Sequence, residues 1–364
     1  MRTLRTPLCE LLGIEHPLIQ AGMAGATTVE LVVAVSEAGA LGGFGHAYTE
    51  PDVMQENARD VRARSGCPFA INLFAAPTPG EPPADNQREA IAALRGDFEQ
   101  LGLPAPERVA PPYAPDRARQ IEAVCDIRPK ALTLHLGDMT PDTLSRIQSA
   151  GVRIGGAATS VREARHLESV GVDFIVAQGA EAGGHRSTFL HVPEHVMTGT
   201  LALVRQIVRA VRLPVVAAGG IMDGAAVAAV LALGAQAAQV GTAFLLCPES
   251  AASEAHRKAI TNMDGDETTI TRVFSGKPAR AVRNRFIETT ERAGAPLLPF
   301  PVQQKLTAPL RAASARLGSP DHIAGWSGQA GSLAAPLPAR DLVRALVEEA
   351  CDTIERLRHL LRTT

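Results

Sequence analysis

A histidine that directly follows two glycines marks the segment of the chain best suited to chemistry. Residues 175–189 read IVAQGAEAGGHRSTF. Because glycine has no Cβ, Gly183 and Gly184 predict a place where a bulky or planar group approaches the backbone. Imidazole has an ordinary pKa close to neutral and can accept a proton from a carbon acid. A lone histidine is more often structural, but the glycine pair, the strand end and Gln178 favour His185 as a catalytic base.

One repeated pattern indicates the elements that hold this histidine. An amphipathic stretch, a glycine and a short apolar run recur along the chain, as expected for a helix, its C-terminal cap and a buried strand. Eight strands are predicted, at 17–21, 40–44, 68–73, 131–136, 152–157, 172–178, 214–218 and 237–241. Eight strand–helix units indicate an α/β fold of the (β/α)8 TIM-barrel type, whereas six would indicate a doubly wound sheet.

The chain of 364 residues is longer than a typical barrel of about 250 residues. We assign residues 1–246 to the barrel. Residues 75–118 are rich in proline and predict a loop insertion over the barrel mouth after the third strand. Residues 247–330 predict a smaller lid around the C-terminal mouth, and residues 331–364 predict a C-terminal helix that packs on the barrel.

The carboxyl ends of the predicted strands carry glycines, amides and histidines. Barrel enzymes place their chemistry at these ends, and such residues let backbone N–H groups reach a ligand while a few polar side chains orient it. The loops after the last two strands often hold a phosphate. We therefore predict that a phosphate binds at Gly219, Gly220, Gly241 and Thr242, although the same glycines also suit tight turns.

Three further residues are weaker candidates for a substrate pocket. His135 ends the fourth strand, where it either lines the pocket or is hydrogen-bonded in the core. Arg186 suits an anionic substrate or a salt bridge to a neighbouring loop. Trp326 is the only tryptophan, and it suits either the core or a wall over the site.

Composition and charge argue against several kinds of partner. The net charge is −2 and the lysines and arginines are interspersed with acids, which disfavours binding to nucleic acid or to a membrane surface. Five scattered cysteines and a start without a signal-peptide pattern predict a cytoplasmic protein. His191 and His195 lie four residues apart, but Pro193 separates them and no HExxH glutamate is present, so we predict no metal site.

Several segments together resemble the nitronate monooxygenase family, formerly called 2-nitropropane dioxygenases, and its class I in particular. The segments are HPLIQAGMAGATTVELVVAVSEAGALG, AINLF, TLHLG, AQGAEAGGHRSTF, VVAAGGI, AQVGTAFLLCPES, TRVFSGKPARAVRNRF and GWSGQAG. They span nearly the whole chain, and QGAEAGGHR is the most specific of them. One departure is visible, because the family commonly has APM where this chain has Ala21, Gly22 and Met23.

The resemblance implies that the predicted phosphate belongs to FMN. It implies that Gly22, Met23 and Asn72 lie against the flavin ring, and that Gln178 and Gly183 hydrogen-bond the ring or the ribityl chain. His185 matches the catalytic histidine of the family. The phosphate ligands that the resemblance implies are Gly220, Gln239, Val240, Gly241 and Thr242.

The activity implied is oxidation of an alkyl nitronate by O2, or of a nitroalkane after His185 removes its α-proton, to a carbonyl compound and nitrite without NAD(P)H. Two alternatives stay open. NAD(P)H-dependent reductases of the same flavin-barrel group, which act on enoyl-acyl carriers or quinones, share the FMN site. A barrel isomerase or lyase acting on a phosphorylated small molecule would use the same loops and base. Several alkyl nitronates fit this activity as physiological substrates, and the sequence is compatible with a homodimer.

Overall fold

A computed structural model gives the conformation of residues 3–77, 79–190, 196–294 and 296–360. His191 and His195 therefore lie outside the described residues. The strands, in chain order, are β1 Leu18–Gln20, β2 Gly42–Gly45, β3 Phe69–Phe74, β4 Ala131–His135, β5 Arg153–Ala158, β6 Phe174–Gln178, β7 Gly184–His185, β8 Val215–Ala218, β9 Ala237–Val240, β10 Thr268–Thr271 and β11 Ala279–Val282. The α-helices are α1 Pro7–Leu12, α2 Val29–Glu37, α3 Pro51–Arg64, α4 Ala84–Ala93, α5 Arg95–Gln100, α6 Arg117–Ile127, α7 Pro141–Ser149, α8 Val161–Val170, α9 Thr200–Ala210, α10 Gly224–Ala232, α11 Thr242–Leu245, α12 Glu254–Thr261, α13 Arg285–Ala293, α14 Val302–Arg316 and α15 Ala339–Arg358.

Eight parallel strands form the barrel, in the order β1-β9-β8-β6-β5-β4-β3-β2. A parallel bridge between Ile19 and Leu41, just before β2, joins the two ends of this sheet. The N–H of Gln20 donates to the Leu41 carbonyl at 2.9 Å, and the N–H of Leu41 donates to the Leu18 carbonyl at 3.0 Å. Each of the eight predicted strands overlaps one of these strands, so the prediction of a (β/α)8 barrel is confirmed.

Local sequence signals determine where the barrel helices begin and end. The side chains of Thr28, Ser160 and Asp223 accept hydrogen bonds from backbone N–H groups at the starts of α2, α8 and α10. Gly171 ends α8 with a φ of 96°, a left-handed conformation that glycine adopts at little cost. These caps satisfy backbone groups that a helix leaves unpaired, so they fix the length of each strand–helix connection.

The barrel interior is filled by a few large side chains next to small ones. The ring of Phe174 is fully buried and packs with Ile19, Val176 and Val216. Gly155 on the neighbouring strand β5 faces this ring, and a Cβ at that position would overlap it. Interiors are packed densely, so the absence of a side chain at Gly155 is what admits Phe174.

A second, smaller apolar core lies beside the barrel mouth and joins two distant segments of the chain. Ile91 of α4 and Phe98 of α5 belong to the same buried cluster as Phe274 and Phe286. The proline-rich stretch 75–118 therefore contains two helices and packs against the region that follows β9, whereas the sequence indicated only a loop there.

A three-stranded antiparallel sheet, in the order β10-β11-β7, links this second core to the barrel. In β7, His185 pairs with Ala279 and Gly184 pairs with Arg280 of β11. The segment that carries His185 is thus held by the barrel at one end and by the 247–330 region along its edge. A strand of two residues leaves no periodic signal, so sequence analysis did not predict β7.

The C-terminal helix α15 packs against α2 and α10. Its buried residues Leu342, Val343 and Leu346 form the contacting face, and Gly224 lets the start of α10 approach the backbone of α15. Among the described residues, none of the helices combines the length and apolar character that crossing a bilayer requires.

Candidate active site

A cavity of about 720 Å³ opens at the carboxyl ends of the barrel strands. Its volume lies within the range of about 300–1,000 Å³ that is typical of small-molecule and cofactor sites. Most of the residues predicted from sequence line it together. They are Gly22, Met23, Asn72, His135, Gln178, Gly183, His185, Gly219, Gln239, Gly241, Thr242 and Trp326.

Aromatic side chains pack around His185 at this cavity. The centroid of its ring lies 5.3 Å from that of Phe74, 5.6 Å from Phe300 and 5.4 Å from Trp326. Burial among these groups lowers the pKa of His185 to about 3. The imidazole is therefore neutral at pH 7, which is the form that can accept a proton.

Gln178, the last residue of β6, holds the backbone around His185. Its side-chain Nε2 donates to the His185 carbonyl at 2.9 Å, and its Oε1 accepts the N–H of Ser187 at 2.8 Å. Both ends of the amide are therefore engaged by the segment 185–187. This pair of bonds ties the position of the imidazole to the end of a barrel strand.

A second neutral imidazole, His135, stands at the end of β4. The Nδ2 of Asn72 donates to Thr133 Oγ1 at 2.9 Å and lies 2.6 Å from His135 Nδ1. An amide nitrogen can only donate, so Nδ1 of His135 accepts and its Nε2 carries the hydrogen. Burial lowers the pKa of His135 to about 4. Asn72 and His135 thus present fixed polar groups to the cavity.

The fold and this site have close counterparts among known proteins. The family model described as nitronate monooxygenase matches residues 5–349. The chain belongs to the nitronate monooxygenase family, which is a family of oxidoreductases. It is 38% identical over 361 residues to a nitronate monooxygenase of Paraburkholderia phytofirmans, covering 98% of each chain. It is 40% identical over 342 residues to the nitronate monooxygenase of Pseudomonas aeruginosa, covering 93% of this chain and 97% of that one.

A solved structure extends the similarity to three dimensions. The nitroalkane oxidase from Streptomyces ansochromogenes superposes with a TM-score of 0.88 at 34% identity, covering 97% of this chain and all of that chain. The TIM barrel and the nitronate monooxygenase family, both predicted from sequence, are therefore shown.

In this member of the nitronate monooxygenase family, glycine is needed at the two positions before His185 for different physical reasons. A Cβ at Gly183 would lie 2.6 Å from the carbonyl carbon of Ser327 and 2.6 Å from the nitrogen of Gly328. Gly184 has open space around it but a φ of 74°. The close approach that the glycine pair predicts is thus made at Gly183 by the protein's own backbone, and Gly184 provides a left-handed turn.

We expect Gly183→Ala to lower the free energy of unfolding by about 1–3 kcal/mol, because the added methyl group overlaps backbone that cannot rotate away. The displaced segment adjoins Trp326, which contacts the His185 ring. Chemical denaturation measures the stability, and the fluorescence of the single tryptophan reports the displacement.

Gly184→Ala is the matched control for Gly183→Ala. It strains the left-handed backbone but meets no atom within 4 Å, so its cost is about 1 kcal/mol and the tryptophan emission stays unchanged. The same emission shift in both variants would contradict the assigned contact between Gly183 and the 327–328 backbone.

Gly22, where this chain departs from the pattern that the sequence resemblance rests on, also packs against protein. A Cβ here would lie 2.7 Å from the Phe44 carbonyl oxygen and 2.6 Å from the Asn72 Cβ. The loop after β1 therefore lies closer to the ends of β2 and β3 than any residue with a side chain would permit.

Three residues singled out from sequence do not line the cavity. Arg186 is buried beneath it, where Nη1 donates to the Gln178 carbonyl at 2.6 Å and the carboxylates of Glu163 and Glu181 stabilise its charge. Arg186 therefore does not line the cavity, and of the two roles that the sequence left open the structure favours the one within the fold. Val240 points into the core because it alternates with Gln239 along β9. Gly220, the third, lies one residue beyond the lining residue Gly219.

Sequence analysis missed several polar residues of the cavity, among them Tyr48, Gln304 and Arg311. Each of these three has a buried polar atom without a hydrogen-bond partner, namely the Tyr48 hydroxyl, Gln304 Oε1 and Arg311 Nε. Gln304 and Arg311 are seven residues apart on α14, a spacing that puts them on one helix face. No sequence signal says that this face turns toward the barrel mouth.

Arg311 differs from Arg186 in that no carboxylate among the described residues pairs with it. Its Nη2 donates to the Gln304 carbonyl at 3.0 Å. Burial lowers the pKa of its guanidinium, and the phenol of Tyr48 acts in the opposite direction. The positive charges of Arg311 and Lys277 both disfavour protonation of His185. The cavity therefore combines a neutral imidazole with an uncompensated positive charge.

Proposed function

We propose that the protein oxidises alkyl nitronates, and nitroalkanes after removal of their α-proton, to a carbonyl compound and nitrite, with O2 as oxidant and FMN as cofactor. One observation carries the proposal: the same cavity holds a neutral imidazole, His185, and a guanidinium, Arg311, that has no carboxylate partner among the described residues. Carbon-acid chemistry needs a proton acceptor, and the anion that forms needs a positive partner. Membership in the nitronate monooxygenase family supports it.

The residues at the ends of β8 and β9 fit the phosphate of FMN. Gly219 and Gly220 have φ values of 113° and 71°, which lets successive backbone N–H groups turn toward one point. Within 4 Å, and apart from its chain neighbours, a Cβ at Gly241 would meet two described residues, Ala21 at 3.4 Å and Met23 at 4.0 Å. This open space beside Gly241 suits a group held by backbone.

We therefore propose that the phosphate binds at Gly219, Gly220, Gly241 and Thr242, with Gln239 beside it. The Thr242 hydroxyl already accepts the N–H of Gly328 at 3.0 Å, so its hydrogen is free to donate to an anion. Gly22, Met23 and Asn72 would lie along the ring. When bound, FMN supplies the electron acceptor of the reaction, which no side chain of the cavity provides.

The chain's own residues account for the remaining steps. Arg311 binds the anionic substrate, and His185 accepts the α-proton when the substrate arrives as a neutral nitroalkane. The rings of Phe74, Phe300 and Trp326 surround His185. These apolar groups lower the local dielectric constant, which strengthens the attraction between the imidazolium and the new anion.

The visible spectrum of the purified protein tests this proposal. We expect a yellow protein that releases FMN on denaturation, and we expect anaerobic addition of an alkyl nitronate, but not of NADH, to bleach the flavin. Bleaching by NADH alone would favour the reductase alternative. A colourless protein that takes up no added FMN would favour an isomerase or lyase.

A further inference from the structure

Ser275 is a fully buried residue that touches the ring of His185 from outside the barrel. It lies between β10 and β11, and its Oγ is 2.9 Å from His185 Nε2. The same oxygen is 3.2 Å from the Lys277 carbonyl oxygen and 3.3 Å from the Lys277 backbone nitrogen. One hydroxyl is thus shared among a ring nitrogen, a backbone acceptor and a backbone donor.

The single hydrogen of this hydroxyl determines which ring nitrogen is protonated. The Lys277 carbonyl can only accept, so if Ser275 donates to it, His185 Nε2 must carry a hydrogen and donate to Oγ. The other ring nitrogen, Nδ1, has no hydrogen-bond partner among the described residues, and the ring lines the cavity. In this arrangement Nδ1 keeps its lone pair and is the ring nitrogen that remains available to a substrate.

The opposite arrangement requires a rearrangement during proton transfer. If Ser275 donated to Nε2, protonation of the ring would place two hydrogens between Nε2 and Oγ, and the hydroxyl would have to rotate. With the hydrogen of Ser275 on the Lys277 carbonyl, the imidazolium keeps every bond that the neutral ring had. Such preorganisation removes a rearrangement from the proton-transfer step.

We propose that Ser275 is a positioning residue that selects the Nε2–H tautomer of His185, so that Nδ1 is the atom that takes the α-proton. The assignment of the proton rests on the proposed function. The tautomer itself is a property of the protein alone, so the two can fail separately.

Ser275→Ala tests the role of Ser275 in proton transfer. Loss of the acceptor for Nε2–H destabilises the imidazolium, so we expect kcat/KM for a neutral nitroalkane to fall about 10- to 100-fold. A preformed nitronate needs no proton removal, and we expect its kcat/KM to change less than about threefold. Ser275→Thr keeps Oγ and should restore most of the nitroalkane activity. Equal losses with both substrates would overturn the positioning role.

Nitrogen NMR of the flavin-loaded enzyme tests the tautomer without any turnover. With ¹⁵N-labelled histidine, and with His185→Asn to assign the signals, we expect a protonated Nε2 and an unprotonated Nδ1 at pH 7. We expect Ser275→Ala to give a mixture of both tautomers. A protonated Nδ1 in the unsubstituted protein would overturn the inference, even in a protein that proved to oxidise nitronates. Conversely, the expected tautomer in a protein inactive on nitronates would overturn only the proposed function.

Discussion

His185→Asn is expected to lower the turnover of a neutral nitroalkane by about 10²- to 10⁴-fold, the usual contribution of a general base. The same change is expected to lower the turnover of the corresponding preformed nitronate by less than about tenfold. Asparagine keeps a polar amide near the position of Nδ1, but it cannot accept a proton near neutral pH. Steady-state rates with the two forms of one substrate, measured on the flavin-loaded protein, give the ratio directly.

The pH dependence of the unsubstituted protein gives a second measure of the same role. Burial lowers the pKa of His185 to about 3, so the ring of the free enzyme stays neutral from pH 8 down to pH 5. We therefore expect kcat/KM for a neutral nitroalkane to show no loss of the base over this range. Proton transfer leaves an anion beside the imidazolium, and their attraction offsets the burial that keeps the free ring neutral.

His135→Asn serves as the matched control for His185→Asn. Both imidazoles are neutral and line the same cavity, but Nδ1 of His135 is occupied by Asn72 at 2.6 Å. We expect His135→Asn to affect the two substrate forms to a similar extent. If His135→Asn lowered the turnover of the nitroalkane alone and His185→Asn did not, His135 and not His185 would be the general base.

The barrel could be predicted from sequence because its signals are local. Several units carry a side-chain cap, an apolar run or a terminating glycine, as at Ser160 and Gly171 of α8, and eight strand–helix units indicate a closed barrel. The strand ends follow from the same register, which is why Asn72, Gln178 and His185 could be placed near one opening before their contacts were known.

The parts that could not be predicted depend on contacts between distant segments. The backbone at 327–328 fills the space beside Gly183, β11 pairs with the two residues of β7, and α14 turns Arg311 toward the barrel mouth. None of these leaves a periodic pattern or a spacing in the chain. A glycine at position 183 indicates that another group approaches the backbone closely, but the residue type does not identify that group.

Arg311→Met is expected to raise KM for an anionic nitronate by about 10- to 100-fold, the value of a hydrogen bond to a charged group. The same substitution is expected to leave the melting temperature of the substrate-free protein unchanged or to raise it. A charge held out of water without a paired carboxylate costs stability, and methionine keeps the apolar stem while removing the charge. Steady-state kinetics and thermal unfolding of one preparation measure both effects.

Arg186→Met separates this explanation from a general effect of removing a buried arginine. Glu163 and Glu181 favour the charge of Arg186, and its Nη1 donates to the buried Gln178 carbonyl. Its removal leaves that carbonyl without a charged donor and is expected to cost about 1–3 kcal/mol of stability. If Arg186→Met lowers the melting temperature and Arg311→Met does not, the charge of Arg311 is one that the protein does not neutralise and that a bound anion can pair with. If Arg311→Met destabilises the protein as much as Arg186→Met, groups within the fold stabilise the charge of Arg311. That result would contradict the proposal that Arg311 binds the anionic substrate.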